Sequence, residues 1–367
     1  MKKKSVLISG ASIAGLTMAY WMKRYGYKVT VVEIGVAPRM GGSPIDVRGD
    51  SLDTAKRMGI FDAIKAARLT MGLEFLNGKG EVEGKIKVNE LGAIRPGEDT
   101  EIRRDDLVNI LYSTVKEGVE YKFSNRITLL NQDEEKVEVT FKDGTSETYD
   151  FVFGADGIHS GVRNLVFGKE EQYSHFLNFY YTGFPVDVSL GKKNYGQVYT
   201  TTKGFAVIYH YSDVFADGFI AFKSSENISF DYKDTEAQKQ IVLDNFKETG
   251  WKVTELKEAL VKANHFYFDQ GCQIKMETWT NGRVALIGDA GYAPAFPTGM
   301  GSTLAMQGAT TLADALAENE DYKIAFQKYN EMFRPTVDAL QATVYNGLSF
   351  LLPETQETID ARNKGMK

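Results

Sequence analysis

Three short stretches of the 367-residue chain place small and charged residues at spacings suited to a phosphate-bearing ligand. They are Gly10-Ala11-Ser12-Ile13-Ala14-Gly15, Asp156-Gly157-Ile158-His159-Ser160-Gly161-Val162-Arg163, and Gly288-Asp289 followed by Gly299-Met300-Gly301-Ser302. In the first, Gly10 permits a tight turn and Gly15 lets a helix lie close on a strand. The amides of that helix's first turn, at Ile13 and Ala14, then face a pyrophosphate. Ser12 stands where the usual fingerprint has its middle glycine; it is small enough to let phosphate approach, and its hydroxyl can donate. Glu33 follows about 20 residues on, where a carboxylate accepts hydrogen bonds from an adenosine ribose and repels a ribose 2′-phosphate. Taken alone, Glu33 also reads as a plain strand end on the surface.

These residues need particular elements to carry them. The apolar run 5–9 reads as a buried parallel strand, 16–22 as a helix, and the β-branched run 27–33 as a second strand, which is the context a dinucleotide fingerprint requires. Residues 151–156 form a buried strand ending in Asp156. A further apolar run over 284–289 delivers Asp289, whose carboxylate suits a hydroxyl of a ribityl chain. The helix opening at Gly299, Gly301 and Ser302 would point its amides and positive dipole end at the N1–C2=O edge of an isoalloxazine, which is negatively charged when reduced. One bound FAD satisfies all three stretches.

The remaining chain reads as an α/β protein with a Rossmann-like FAD-binding domain, an inserted antiparallel-sheet substrate domain and a C-terminal helix. Residues 1–170 and 272–320 make the discontinuous FAD-binding domain, 171–271 the substrate domain, and 321–367 the C-terminal part; residues 72–100 are candidates to join the substrate sheet. Expected elements are a helix over 51–67, a hairpin over 73–86 turning at Asn77-Gly78, and a helix over 101–115. A second hairpin spans 137–149, and helices cover 235–248 and 252–263. The aromatic runs between 176 and 222 alternate as strands do, either as sheet core or as the wall of a flat apolar ligand site. The tail over 321–352 reads as one long helix interrupted or kinked at Pro335.

Length implies two domains, and a net charge of −6 argues against nucleic acid as a partner. No uninterrupted apolar run reaches membrane-spanning length, so no membrane anchor is expected. Lys2-Lys3-Lys4 before an apolar stretch imitates a secretory signal, but Gly10 and Gly15 break the stretch and it runs directly into a second strand; it reads as mature protein. The sole cysteine, Cys272, suits a reducing cytoplasm and reads as a buried small hydrophobe before a nucleophile. His159, His175, His210 and His265 show no metal-ligand spacing. A monomer is the expectation.

With these motifs in view, almost the whole chain resembles the single-component, FAD-dependent aromatic hydroxylases, the group of para-hydroxybenzoate hydroxylase. Within it the chain looks most like the tetracycline-inactivating flavin monooxygenases. The stretches that carry this are Gly41-Gly42-Ser43-Pro44-Ile45-Asp46-Val47-Arg48-Gly49, Glu101-Ile102-Arg103-Arg104-Asp105-Asp106-Leu107, Phe266-Tyr267-Phe268-Asp269 and Gln273-Ile274-Lys275-Met276-Glu277-Thr278-Trp279. The resemblance implies that Glu33 holds adenosine ribose, Arg104 lies along FAD, Arg48 lies near the flavin, Asp289 holds the ribityl chain, and Asp156 links FAD and NAD(P)H binding. Arg103 and Arg104 also read as a solvated helix start, although a basic pair there calls for a nearby anion. The chain departs from the family pattern at Gly291-Tyr292, where a histidine is usual, and at Phe296, where a proline is usual. It departs again at Thr303 and Gly308, in place of an asparagine and an aspartate.

Only one glycine fingerprint is present, so NADPH or NADH would bind transiently, reduce the flavin and leave. The resemblance implies oxygen transfer through a flavin C4a-hydroperoxide to a phenolic or polycyclic small molecule, with a tetracycline among the candidates. A flavin dehydrogenase, oxidase or halogenase, and a non-catalytic FAD sensor, are the alternatives on the same scaffold. No catalytic acid or base and no metal ligand is singled out. A C-terminal helix in the tetracycline-inactivating relatives borders the substrate entrance, so 344–352 is expected either to line that entrance or simply to pack against both domains.

Overall fold

The computed structural model describes residues 3–38, 41, 44–87, 90 and 93–366. Lys2, Gly42 and Ser43 lie outside the described residues. One layer is a six-stranded sheet in the order Thr280–Asn281, Val284–Leu286, Phe151–Gly154, Ser5–Ser9, Lys28–Val32, Glu120–Lys122. All its pairings are parallel except that of Thr280–Asn281 with Val284–Leu286. The unbroken apolar runs Val6-Leu7-Ile8 and Phe151-Val152-Phe153 are buried because both faces of a parallel sheet are covered. Ser9 lies level with Val32 on one side and Gly154 on the other. The loops leaving these three strands therefore gather at one carboxyl edge, where an open α/β sheet binds ligands.

A second, seven-stranded sheet runs Tyr267–Ile274, Ser174–Pro185, Phe215–Lys223, Gly204–Ser212, Tyr195–Thr201, Gly72–Leu76, Val82–Lys87. Side chains alternate between its faces, as the pleat dictates. Tyr180, Ala206, Ile208, Ile220, Phe222 and Phe268 pack under the helices Thr235–Asn245 and Val253–Lys262. Phe179, Phe205, Val207, Ala221, Phe75 and Leu352 pack on the other face. Residues 72–87 thus belong to this sheet. A three-stranded sheet, Ser146–Tyr149, Val137–Phe141 and Ile127–Gln132, and a ribbon of Ile45–Val47 with Thr100–Ile102 complete the strands.

Several elements differ from the sequence reading. The helix over 51–67 is two helices, Ser51–Met58 and Phe61–Ala66, divided where Gly59 takes a left-handed φ of 72° and ends the first. The hairpin at 73–86 closes through a longer loop, with Asn77 N–H donating to Glu81 O at 3.0 Å, instead of a two-residue Asn-Gly turn. Residues 100–102 pair as a strand, so the next helix begins only at Arg104 (Arg104–Val115). The run 284–289 is a strand only over Val284–Leu286, and Asp289 opens a short helix, Asp289–Tyr292. The tail is three helices: Tyr322–Ala342 continues through Pro335, the chain breaks at Thr343, and Val344–Leu351 and Gln356–Gly365 follow. Among the described residues no helix is long and apolar enough to cross a membrane.

Candidate functional site

Gly10 has a φ of +106°, and a Cβ there would lie 2.4 Å from the carbonyl oxygen of Ala155; one at Gly15 would lie 2.0 Å from the carbonyl oxygen of Gly10. Only glycine lets the turn, the neighbouring strand end and the helix Ile13–Arg24 approach so closely. Ser12 is the extended N-cap of that helix, yet its side chain does not cap it. The first-turn amides of Ile13, Ala14 and Gly15 are left for an external acceptor. The Ser12 hydroxyl instead accepts a hydrogen bond from Arg104 Nη2 at 3.0 Å. Glu33 is 8% exposed, and its two carboxylate oxygens accept from the amides of Ala11 at 2.8 Å and Gly35 at 2.9 Å. That fixes the carboxylate beside the glycine turn, and each oxygen keeps a second lone pair. Ser12, Glu33 and Arg104, far apart in sequence, meet here.

Asp156 turns inward. Its carboxylate accepts from Ser160 Oγ at 2.5 Å, the amide of Val162 at 3.1 Å and Ser9 Oγ at 3.4 Å, and burial pushes its pKa up. It organises the start of the helix Gly161–Val166 instead of facing a ligand. Arg163, fully buried, donates to the carbonyls of Ile158 and Ala290 and to Glu170, tying this loop to the helix that Asp289 opens.

At the other end, a Cβ at Gly288 would sit 2.9 Å from Ala14 Cβ and 3.6 Å from Ala305 Cβ, so the glycine-turn helix, the Asp289 segment and the helix Gly301–Glu318 converge there. Asp289 is exposed between buried Gly288 and Ala290. The N-cap of Gly301–Glu318, Met300, offers no side-chain cap, and a Cβ at Gly301 would meet nothing within 4 Å, so this helix start opens on space. Ser302 Oγ donates to the carbonyl of Asp46. Arg48 Nη2 pairs with Asp46 at 2.6 Å, and the Arg48 amide reaches Thr303 Oγ1 at 3.4 Å.

The seven-stranded sheet supplies the facing wall. Phe296, just before Gly299, packs on Tyr181, Phe179 and Phe205 with ring centroids 4.8, 5.5 and 6.4 Å away. Behind Tyr181 a polar chain leads outward: Tyr181 OH to Tyr267 OH at 3.2 Å, Tyr267 OH donating to Asp269 at 2.9 Å, and His159 between Asp269 at 3.0 Å and Glu170 at 2.9 Å. Burial opposes charge on His159, but its two carboxylate partners outweigh burial and raise the imidazole to about 9. Two open clefts of about 460 and 450 Å³ lie along the helix Tyr322–Ala342, and neither contains a residue of the three glycine-bearing stretches. The convergent amides and carboxylates mark the site better than those clefts do.

Residues 3–333 match the family described as FAD binding domain. The chain belongs to that family. It is a member of the class A aromatic hydroxylase group and an FAD-dependent monooxygenase that uses NAD(P)H and O₂. A flavin-dependent monooxygenase from an unknown prokaryotic organism is 37% identical over 367 residues, spanning 98% of this chain and 94% of that protein. One from Legionella longbeachae serogroup 1 is 35% identical over 358 residues, 96% and 91% of the two chains. The crystal structure of tetracycline destructase Tet(55) matches with a TM-score of 0.88 at 35% identity, covering 99% of this chain and 95% of that one.

The residues of this FAD-dependent monooxygenase fit the cofactor: two helix starts without side-chain caps, Glu33 held beside one and Asp289 exposed beside the other. The departures from the family pattern also find places. A Cβ at Gly308 would lie 1.9 Å from Tyr292 OH, so the tyrosine and the glycine are one buried packing solution. The Tyr292 hydroxyl accepts from Tyr329 OH at 3.1 Å. Thr303 bonds into the Arg48–Ser51 turn, and Phe296 joins the aromatic wall. Cys272 is buried, and burial pushes its thiol up to about 12, as suits a small core residue. The motifs do not single out Asp46, Glu101, Tyr181 or Asp269 as site residues. The alternation of Glu101 and Asp46 against their apolar strand neighbours is the available signal, and a three-residue strand is too short for that signal to stand out.

Proposed function

We propose that this monooxygenase hydroxylates a polycyclic phenol or enol of the tetracycline type, held between the aromatic face of the seven-stranded sheet and the helix start at Gly299–Ser302. The packing of Phe296 on Tyr181, Phe179 and Phe205 directly ahead of Gly299 carries this reading, because it sets an apolar aromatic wall beside the helix start at Gly299–Ser302. The match to a protein named tetracycline destructase supports the substrate class. In this reading Gly10, Ser12, Ile13, Ala14 and Gly15 receive the pyrophosphate, Arg104 flanks it, and Glu33 takes the adenosine ribose. Asp289 takes the ribityl chain, and Arg48, Gly299, Gly301 and Ser302 border the isoalloxazine. Asp156 acts from behind, as the anchor of its loop. Bound FAD supplies the redox and oxygen chemistry; the chain binds, orients and keeps water from the reacting centre. Residues 1–170 with 272–320 form the cofactor domain, less the strands over 72–87, and 171–271 the substrate domain. The free, buried thiol of Cys272 suits a reducing cytoplasm, and we take the working unit to be a monomer.

The test is a panel of phenols and polycyclic enols, tetracyclines included, read by NAD(P)H consumption and by product mass under ¹⁸O₂. A tetracycline that accelerates NAD(P)H consumption and gains one labelled oxygen is the expected result. Stoichiometric hydrogen peroxide with unlabelled products across the panel overturns it.

A further inference from the structure

The ribbon that carries Arg48 holds a charge imbalance. Asp46 and Glu101 lie directly opposite each other in its antiparallel register, so both side chains leave the same face. Glu101 is 7% exposed, and Asp46 is half-buried beside it. Arg48 Nη2 makes an ion pair with Asp46 Oδ1 at 2.6 Å, and among the described residues Glu101 Oε2 has neither an ion pair nor a hydrogen bond. Two carboxylates on one buried face with one guanidinium cannot both be ionised cheaply, and the unpartnered one gives up its charge.

Among the described residues no second cation pairs with Glu101; Arg68 bridges Ile102, whose side chain leaves the other face of the ribbon. The strand of Glu101 is flanked by Asp99, whose carboxylate accepts from the amides of Gly49, Ile94 and Arg95. Arg103, on the other side, pairs with Asp105 at 3.1 Å and lies over the Phe215 ring. From the seven-stranded sheet come Tyr209 and Tyr211, whose phenols burial keeps protonated, with Glu101 adding to the effect. The helix start brings no ionisable side chain: Gly299 abuts the Asp46 carboxylate, and Ser302 holds the Asp46 carbonyl. Burial first, and then Asp46, raise Glu101 to about 8, against the opposing pull of Arg48.

We propose that Glu101 is a positioning residue carried as a neutral carboxylic acid, and that its proton keeps a second negative charge away from the helix start that faces the isoalloxazine. Reduced flavin is anionic, so ionising Glu101 sets a like charge near it and weakens retention of the reduced form relative to the oxidised one. The inference rests on the placement of the isoalloxazine at Gly299–Ser302 given above.

The test uses the FAD-loaded protein. Infrared spectra at neutral pH should show a protonated-carboxyl band in the native protein that Glu101→Gln loses. Affinities for reduced and oxidised FAD, followed as the pH rises through about 8, should diverge by roughly tenfold in the native protein and stay parallel in Glu101→Gln. Asp46→Asn removes the neighbouring negative charge that raises Glu101 and should move the divergence to lower pH. A band unchanged in Glu101→Gln, or an Asp46→Asn protein with an unmoved transition, overturns the proposal. So does a lost band with identical pH behaviour in both proteins. In that last case, FAD retention in an Asp289 variant tells whether the flavin placement itself is at fault.

Discussion

Asp289 stands exposed where its two chain neighbours are buried, at the mouth of the space on which the helix Gly301–Glu318 opens, and a ribityl hydroxyl suits a carboxylate so placed. Asp289→Ala should weaken FAD retention by about 1.5–3 kcal/mol, the worth of a hydrogen bond to a charged group; equilibrium dialysis of the apoprotein against FAD measures it, and an unchanged affinity removes Asp289 from the site. Gly308 belongs to a different kind of constraint. Gly308→Ala drives a methyl into Tyr292 OH and toward Phe333, and should cost about 1–3 kcal/mol of stability by overpacking. Adding Tyr292→Phe removes the nearer clash and should restore part of that loss, read as denaturant midpoints of the single and double variants. The glycine turn, Glu33 and Asp289 were legible from sequence because each sits at a fixed offset from a strand end. The Tyr292–Gly308 pair was not, because nothing in a single sequence says that two residues on separate helices share one space.

Val344–Leu351 meets the cofactor end through backbone as well as side chains. A Cβ at Gly347 would lie 1.9 Å from the carbonyl oxygen of Pro297, in the turn that leads into Gly299. Gly347→Ala must displace either the helix or that turn. It should raise the KM for substrate and weaken FAD retention together, with a cost of about 1–3 kcal/mol, while the far-UV spectrum stays native. An unchanged KM with unchanged retention means that the helix only covers the sheet. The parallel strands and their order of use were readable because buried strands show as unbroken apolar runs. The division of 51–67 and of the tail was not. Gly59 ends a helix by its left-handed conformation, a glycine stop that periodicity alone passes over; the break at Thr343 leaves Gly347 against Pro297, a packing contact that helical periodicity does not encode.

At the scale of the molecule, two groups give the fold the same dependence on pH. His159 is held at about 9 against an ordinary 6.5, so its ion pairs stabilise fully below 6.5 and that contribution is lost as pH rises through 9. Glu101 is held at about 8 against 4.5; its folded state keeps a proton that the unfolded state releases, so stability also falls between those values. Thermal midpoints should therefore decline from mildly acidic to alkaline pH, and the decline should be shallower in His159→Gln. A native midpoint that climbs over that interval would mean that neither group is protonated as described.

The seven-stranded sheet ends at Val82–Lys87, and what covers that edge lies 280 positions further along, where Asn363 Nδ2 donates to Glu83. The amide of Lys85 donates to the carbonyl of Met366 at 2.7 Å. During synthesis the strand is made some 280 residues before its cover, and its open side stays unpaired until the helix Gln356–Gly365 leaves the ribosome. Throughout that interval it offers the template for strand addition that folded proteins keep hidden. The sheet edge therefore cannot close before residues 363–366 are made, and a cleavage or stalled ribosome ahead of them acts on a strand that was translated long before.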